Sequence, residues 1–261
     1  MGVLNVTPDS FSDGGRFLGV AAALAQARTL IDQGANILDV GGESTRPGAT
    51  PLSLEDELTR VMPVITGVRG QGSIPISIDT MKPQVARAAV TAGATIWNDV
   101  SALGAAGAPD IAAELGCQVV LMHMQGEPRS MQTSPRYDDL VGEVEAFLLD
   151  RAEVAISAGV AKSKIWLDPG IGFGKSLKHN LTLLANLDRF VALGFPILLG
   201  VSRKSFIARI DSTATVAEDR LGGSLACALA GAAAGVTAVR VHDVAPTVQA
   251  LATWAAIQGA R

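Results

Sequence analysis

Along the chain, short runs of β-branched and other apolar residues alternate with longer Ala-rich stretches whose apolar positions recur every three or four residues. The short runs are residues 2–6, 37–40, 74–78, 96–97, 119–122, 165–167, 197–201 and 238–241, and each reads as a buried strand. The longer stretches, residues 20–33, 54–68, 83–92, 137–158, 177–193, 218–235 and 245–258, read as helices, with a shorter one at 108–115 in the fourth crossover. Strand and helix in alternation predict parallel strands joined by right-handed crossovers. Eight such units predict a closed (β/α)8 TIM barrel, a single α/β domain over residues 1–261, with a doubly wound open sheet as the alternative.

Several helix boundaries are written in the residues. Pro83 stands at a first helical position, and Gly34, Gly93, Gly159 and Gly194 stand where helices should end in a left-handed residue. The three long connections, residues 7–19, 41–53 and 123–135, all follow strands, so in a barrel they gather at the C-terminal rim where binding residues belong. The first strand begins almost at Met1, and the expectation is a domain that lacks a short N-terminal segment.

Composition narrows the picture. Hydrophobic residues make up 48% of the 261 and aromatic residues only 4%, which favours helices packed on a parallel sheet over a β-sandwich. A net charge of −4 without a Lys/Arg run gives no footprint for nucleic acid or a membrane surface. Cys117 and Cys227 lack metal-ligand spacing and read as reduced, buried thiols, so a cytoplasmic location is expected.

Candidate chemistry sits at the strand ends. One stretch dominates: Leu167-Asp168-Pro169-Gly170-Ile171-Gly172-Phe173-Gly174-Lys175 takes a buried strand into a carboxylate and a glycine-rich loop able to approach a ligand closely. The other ends carry Asn5, Asp39 with Glu43, Asp79, Asn98 with Asp99, His123, Ser202 with Arg203 and Lys204, and Arg240 with His242. Any one of them could be a cap or a solvated loop residue, but convergence at one rim points to a site. Asp79, Asn98 and Asp168 suit a flat heterocycle presenting amino and ring N–H groups, and Lys204 can answer its carbonyl or ring nitrogen. Arg240 and His242 alternate along one strand and so share a face; with Arg46 they could hold a phosphate or diphosphate, for which Asn5 could offer an oxygen to Mg²⁺. Met122 and His123 read as pocket wall, whereas Trp97, Trp166, Trp254 and Tyr137 read as packing residues.

Taken together, GVLNVTPDSFSDGG at 2–15, DVGGESTRPG at 39–48, SIDT at 77–80, LMHM at 121–124, LDPGIGFGK at 167–175, SRKS at 202–205 and RVH at 240–242 resemble the dihydropteroate synthases, in that family's order and over nearly the whole chain. The resemblance implies a (β/α)8 barrel that joins 4-aminobenzoate to (7,8-dihydropterin-6-yl)methyl diphosphate, releasing diphosphate for folate synthesis. It implies that Asp79, Asn98, Asp168 and Lys204 bind the pterin ring in a slot lined by Met122 and Phe173. Arg240 and His242 would hold the diphosphate, with Asn5 on Mg²⁺ and Thr45 at the loop edge. Phe11, Arg46, Pro47 and Ser202 would wall the aminobenzoate pocket, and the enzyme would be a homodimer. Two competing readings are a methyltetrahydrofolate:corrinoid methyltransferase, which has no use for a diphosphate grip, and a non-catalytic pterin-binding paralogue.

Overall fold

The computed structural model describes residues 1–6, 15–44, 50–127 and 130–260, with the backbone alone for residues 15–18. Among the described residues the strands are β1 (Gly2–Asn5), β2 (Leu38–Gly41), β3 (Ile76–Asp79), β4 (Ile96–Asp99), β5 (Gln118–Met122), β6 (Ile165–Asp168), β7 (Leu198–Gly200) and β8 (Ala238–Arg240). β1 to β6 pair in parallel in chain order, and β7 pairs with β8 in the same sense. Two seams close the ring. Val3 N donates to Val241 O at 2.9 Å, and Leu167 N donates to Pro196 O at 2.9 Å, joining β1 to the end of β8 and β6 to the start of β7. The fold is therefore the (β/α)8 TIM barrel that the alternation predicts.

The helices are α1 (Gly15–Asp32), α2 (Leu54–Arg69), α3 (Pro83–Thr91), α4 (Ala108–Leu115), α5 (Leu140–Ser157), α6 (Leu177–Ala185), α7 (Leu187–Val191), α8 (Ser205–Ile210), α9 (Leu221–Ala234) and α10 (Val244–Gly259). Pro83 does open α3, and Gly34, Gly93, Gly159 and Gly194 all take the left-handed conformation, at φ +96, +109, +109 and +77. The structure departs from expectation at several boundaries, of which three bear on the connections. The stretch 177–193 is two helices, because Asn186 leaves the helical region at φ −122 and turns its amide back to Thr182 O at 2.8 Å. A short helix, α8, stands in the connection after β7. α1 begins at Gly15 rather than at Val20.

Period-two alternation sorts every strand into two faces. Leu4, Leu38, Val40, Ile76, Ile78, Trp97, Val119, Leu121, Ile165, Leu167, Ile197, Leu199 and Val239 point outward into one continuous core shared with the helices. Inside the barrel, Ile96, Val120 and Leu198 form a second apolar cluster with Met1, Ile37, Trp166 and Ala238, which makes a floor. Trp97 and Trp166 are thus packing residues, Trp97 also donating from Nε1 to Thr80 O at 2.8 Å. Next to the floor, towards the N-terminal ends of the strands, lies a cavity of about 250 Å³ with apolar walls from Ile37, Trp166, Val241 and Val244.

Candidate active site

Two residues further along the strands, the same inward face changes character. Asp39 of β2, Asp79 of β3, Asn98 of β4, Met122 of β5, Asp168 of β6 and Arg240 of β8 stand above the floor in one ring. Asp39, Asp79, Asn98, Met122 and Asp168 are all buried. Arg240 donates from Nε to Asp39 Oδ2 at 2.6 Å and from Nη2 to Asp79 Oδ2 at 2.8 Å, so one guanidinium bridges two carboxylates. The Asn98 amide leans on Asp39 as well, at 3.4 and 3.5 Å.

Burial sets the electrostatics of this ring. It pushes the Asp79 carboxyl up to about 7, against the Arg240 charge and with help from Asp39. Asp168 is likewise raised by burial, opposed by the Gly170 N–H, which donates to its Oδ1 at 2.7 Å, and by the Lys204, Lys175 and Arg240 charges. Lys204 is drawn down to about 8 by burial, with Asp168 acting the other way. Arg240 stays cationic, its carboxylate partners outweighing the burial that opposes its charge. The ring holds anionic and cationic groups at close quarters, each ready to exchange its present partner for one on a ligand.

The loop after β6 builds a wall. Lys204 Nζ stands 4.0 Å from the centre of the Phe173 ring, a cation–π contact that joins the end of β7 to the loop after β6. Two glycines make this possible. A Cβ on Gly170 (φ +68) would lie 1.8 Å from His123 O, and one on Gly172 (φ +86) would lie 3.0 Å from Lys204 Cδ. Lys175 is buried beneath the loop, its ammonium donating to Phe173 O at 3.0 Å and lying 2.9 Å from His123 Nδ1. His123 is consequently part of the support behind the slot rather than its wall: its ring packs edge-on against Phe147, and burial lowers its pKa to about 3.

At the end of β7, Ser202 Oγ accepts from His242 N at 3.1 Å and lies 3.1 Å from His242 Nδ1. Arg203, between Ser202 and Lys204, takes φ +60, a left-handed conformation uncommon for a residue with a Cβ. At the end of β1, the Asn5 amide makes no hydrogen bond among the described residues, and its Oδ1 lies 3.8 Å from where a Cβ on Gly41 would be. Among those residues no group of three or more His, Cys, Asp or Glu side chains is arranged to hold a metal ion, so Asn5 is a single neutral oxygen donor.

Asn5, Asp79, Asn98, Met122, Asp168, Phe173, Ser202, Lys204, Arg240 and His242 thus gather at the C-terminal rim, as expected of a barrel site. Phe11, Thr45, Arg46 and Pro47 lie outside the described residues. Two strand-end carboxylates turn elsewhere. Asp99 points outward and accepts from Ser101 N, Ser101 Oγ and Leu103 N, shaping its own loop. Glu43 pairs with Lys82, which also reaches Glu57 at 2.6 Å, and it accepts from Leu52 N at 3.2 Å, tying together the two ends of its loop. Three residues of the assembly carry no assigned role in the sequence reading: Asp39, Lys175 and Asp243. For Asp39 the signal was available, since it precedes Gly41 by two and so shares its inward face.

A family model described as pterin binding enzyme matches residues 1–242. The dihydropteroate synthase of Escherichia coli K12 is 49% identical over 251 residues, which cover 96% of this chain and 88% of that protein. Among solved structures, the Xanthomonas albilineans dihydropteroate synthase with 4-aminobenzoic acid superposes with a TM-score of 0.93 at 50% identity, covering 99% of this chain and 92% of that one. A second structure from that organism, in complex with 7,8-dihydropteroate, gives 0.90 at 47%, covering the same shares of the two chains. Matched by the family model over most of its length and by these relatives over nearly all of it, the chain belongs to the pterin-binding enzymes, in the branch of the dihydropteroate synthases.

Proposed function

We infer that the chain condenses 4-aminobenzoate with (7,8-dihydropterin-6-yl)methyl diphosphate, giving 7,8-dihydropteroate and diphosphate as a transferase of folate biosynthesis. The observation that carries this reading is the ring of Asp79, Asn98, Asp168 and Arg240 capped by the Phe173–Lys204 slot. A dihydropterin is flat, rich in N–H donors and bears one carbonyl. Asp79 and Asp168 accept its amino and ring N–H groups, Asn98 and Lys204 meet its acceptors, and Met122 and Phe173 line its faces.

The reaction needs no protein nucleophile. The methylene carries a good leaving group and adjoins an electron-rich ring, so the C–O bond breaks first and the ring delocalises the positive charge in an SN1-like displacement. Asp79 and Asp168 stabilise that cation, while Arg240 and His242 take up charge on the departing diphosphate. The aminobenzoate nitrogen then bonds to the methylene and loses a proton. Phe11, Thr45, Arg46, Pro47 and Ser202 are proposed to hold the aminobenzoate and the loop edge of the diphosphate.

The donor set fits Mg²⁺ brought in on the diphosphate rather than an ion caged by protein, because Mg²⁺ takes few protein ligands when phosphate oxygens and water supply the rest. Asn5 would hold it through its amide oxygen, and when bound the ion would neutralise diphosphate charge.

We also propose a homodimer. α9 and α10 pack on each other and contain no charged residue, and Val248 and Ile257 of α10 are exposed. A second copy covering this uncharged face is the expected partner, and V248K/I257K should run as a monomer in light scattering; an unchanged mass would remove this face from the interface. No helix among the described residues is long and apolar enough to cross a membrane. A cytoplasmic location, with small-molecule substrates, is proposed on the reduced-thiol reading of Cys117 and Cys227.

The test of the activity is diphosphate release with Mg²⁺ and the pterin diphosphate, with and without 4-aminobenzoate, while dihydropteroate is followed by chromatography. Product formed in step with diphosphate is expected. Pterin diphosphate binding without any product would return the reading to a non-catalytic paralogue.

A further inference from the structure

Arg203 is held in its left-handed conformation from every side. Its N–H donates to Ser224 Oγ at 2.9 Å, and its carbonyl accepts from Arg220 Nη1 at 3.0 Å. Ser224 Oγ in turn donates to Arg220 O at 2.7 Å, so both clamps belong to the same turn at the start of α9. Its guanidinium grips Asp243 with two bonds, Nε to Oδ2 at 2.9 Å and Nη2 to Oδ1 at 2.6 Å. A third bond, from Nη1 to Glu218 Oε1 at 3.0 Å, ends on an exposed carboxylate and adds little. Strained residues persist only where their surroundings over-determine them, and they concentrate at sites where the strain aims something.

What is aimed is visible in the neighbours. Ser202 precedes Arg203 and meets His242 through its hydroxyl; Lys204 follows and reaches the Phe173 slot. Asp243 follows His242 directly. The bidentate pair therefore spans two neighbouring strand ends, β7 carrying Ser202 and Lys204, β8 carrying Arg240 and His242. A forked guanidinium–carboxylate pair fixes orientation as well as distance, which a lysine could not do.

We propose that the Arg203–Asp243 pair sets the spacing between Lys204 and the Ser202–His242 pair, and so governs affinity for a ligand that joins a pterin ring to a diphosphate. Both are positioning residues, acting through their neighbours. The proposal rests on the reading above that Lys204 meets the ring and His242 the diphosphate. A ligand with two anchored ends binds more tightly than either end alone only while both subsites are engaged together. Misplacing one subsite by a fraction of an ångström removes that gain and leaves each fragment's own contacts in place.

The experiment compares fragments with the joined ligand. Arg203→Gly removes the guanidinium at a position where glycine is free of strain, and Asp243→Asn keeps the shape while losing the charge; if the first does not fold, the second decides. Titration calorimetry in Mg²⁺ measures 6-hydroxymethylpterin, inorganic diphosphate and the pterin diphosphate. Each variant is expected to bind either fragment within about threefold of the parent and the joined ligand at least about tenfold more weakly, and the two changes combined should cost no more than one. Unchanged affinity for the joined ligand, or fragments weakened in parallel with it, overturns the proposal. Lys204→Met and His242→Gln separate this from the underlying assignment: if the first leaves ring binding intact and the second leaves diphosphate binding intact, the assignment itself is wrong.

Discussion

The barrel interior has two levels on the same inward face of its strands, and they obey opposite rules. The floor of Ile37, Ile96, Val120, Trp166 and Leu198 is apolar, and burying it is favourable. One rung above, Asp39, Asp79, Asn98, Asp168 and Arg240 occupy equivalent positions and bury charge, which is unfavourable unless paired. The contrast separates holding the fold from doing chemistry along the axis of a single strand. In β6, Trp166 belongs to the floor and Asp168 to the site.

The sharpest way to break the comparison is from below. Leu198→Ala removes a fully buried floor residue packed with Ile96 and Val120, and should lower stability by roughly 2–5 kcal/mol. The folded fraction should keep its turnover, which denaturant melts and steady-state kinetics would separate. A loss of kcat/KM as large as the loss of stability would mean the two levels are mechanically one.

From above, the expectation reverses. Asp168→Asn keeps an oxygen for the Gly170 N–H but removes the charge offered to the pterin, and should cost about 1.5–3 kcal/mol in ring affinity and kcat/KM. Because burial opposes ionisation of Asp168, the melting temperature should hold or rise. Full turnover with unchanged pterin affinity would remove Asp168 from the site.

The smallest effect sharpens rather than breaks. With the Asp79 carboxyl raised to about 7 and its ionised form the acceptor of ring N–H groups, pterin affinity should climb by up to about tenfold from about pH 6 to about pH 8. That slope should be flat in Asp79→Asn, as calorimetry at several pH values would reveal. The sign for stability is opposite. The native carboxyl holds its proton more tightly than the unfolded one, whose pKa is near 3.8, so Asp79 makes the ligand-free protein less stable as pH rises from there to about 7.

Much of this architecture was legible in the residues because it rests on local rules. Period two predicts which strand residues face inward, and glycines at 34, 93, 159 and 194 mark helix ends that any other residue would strain. The tip residues Asp79, Asn98, Asp168, Lys204 and Arg240 do meet at one rim, since parallel strands must end on the same side. What depends on three-dimensional partners was not legible. That Asp39 faces inward follows from its strand, but its pairing with Arg240 exists only once β2 and β8 flank β1, 201 residues apart in sequence. The left-handed backbone of Arg203 is set by Ser224 and Arg220 from another helix, and no local pattern announces it. The break at Asn186 lies between these cases: asparagine permits it, but an apolar periodicity running through the position hides it.

The alternation in β6 also determines which genetic accidents the enzyme can survive. Leu167 faces the helices and Asp168 faces the site, with one peptide unit between them. Deleting a single residue within this strand would present a leucine to the substrate and drive a carboxylate into the apolar annulus, a failure at both faces from one event. An insertion in a connection from a helix to the next strand, at the end of the barrel away from the site, leaves that phase untouched. Lineages of this protein can therefore vary in the length of their helix-to-strand connections while their strands stay locked in reading parity, and length variation in an alignment would trace the N-terminal end of the barrel.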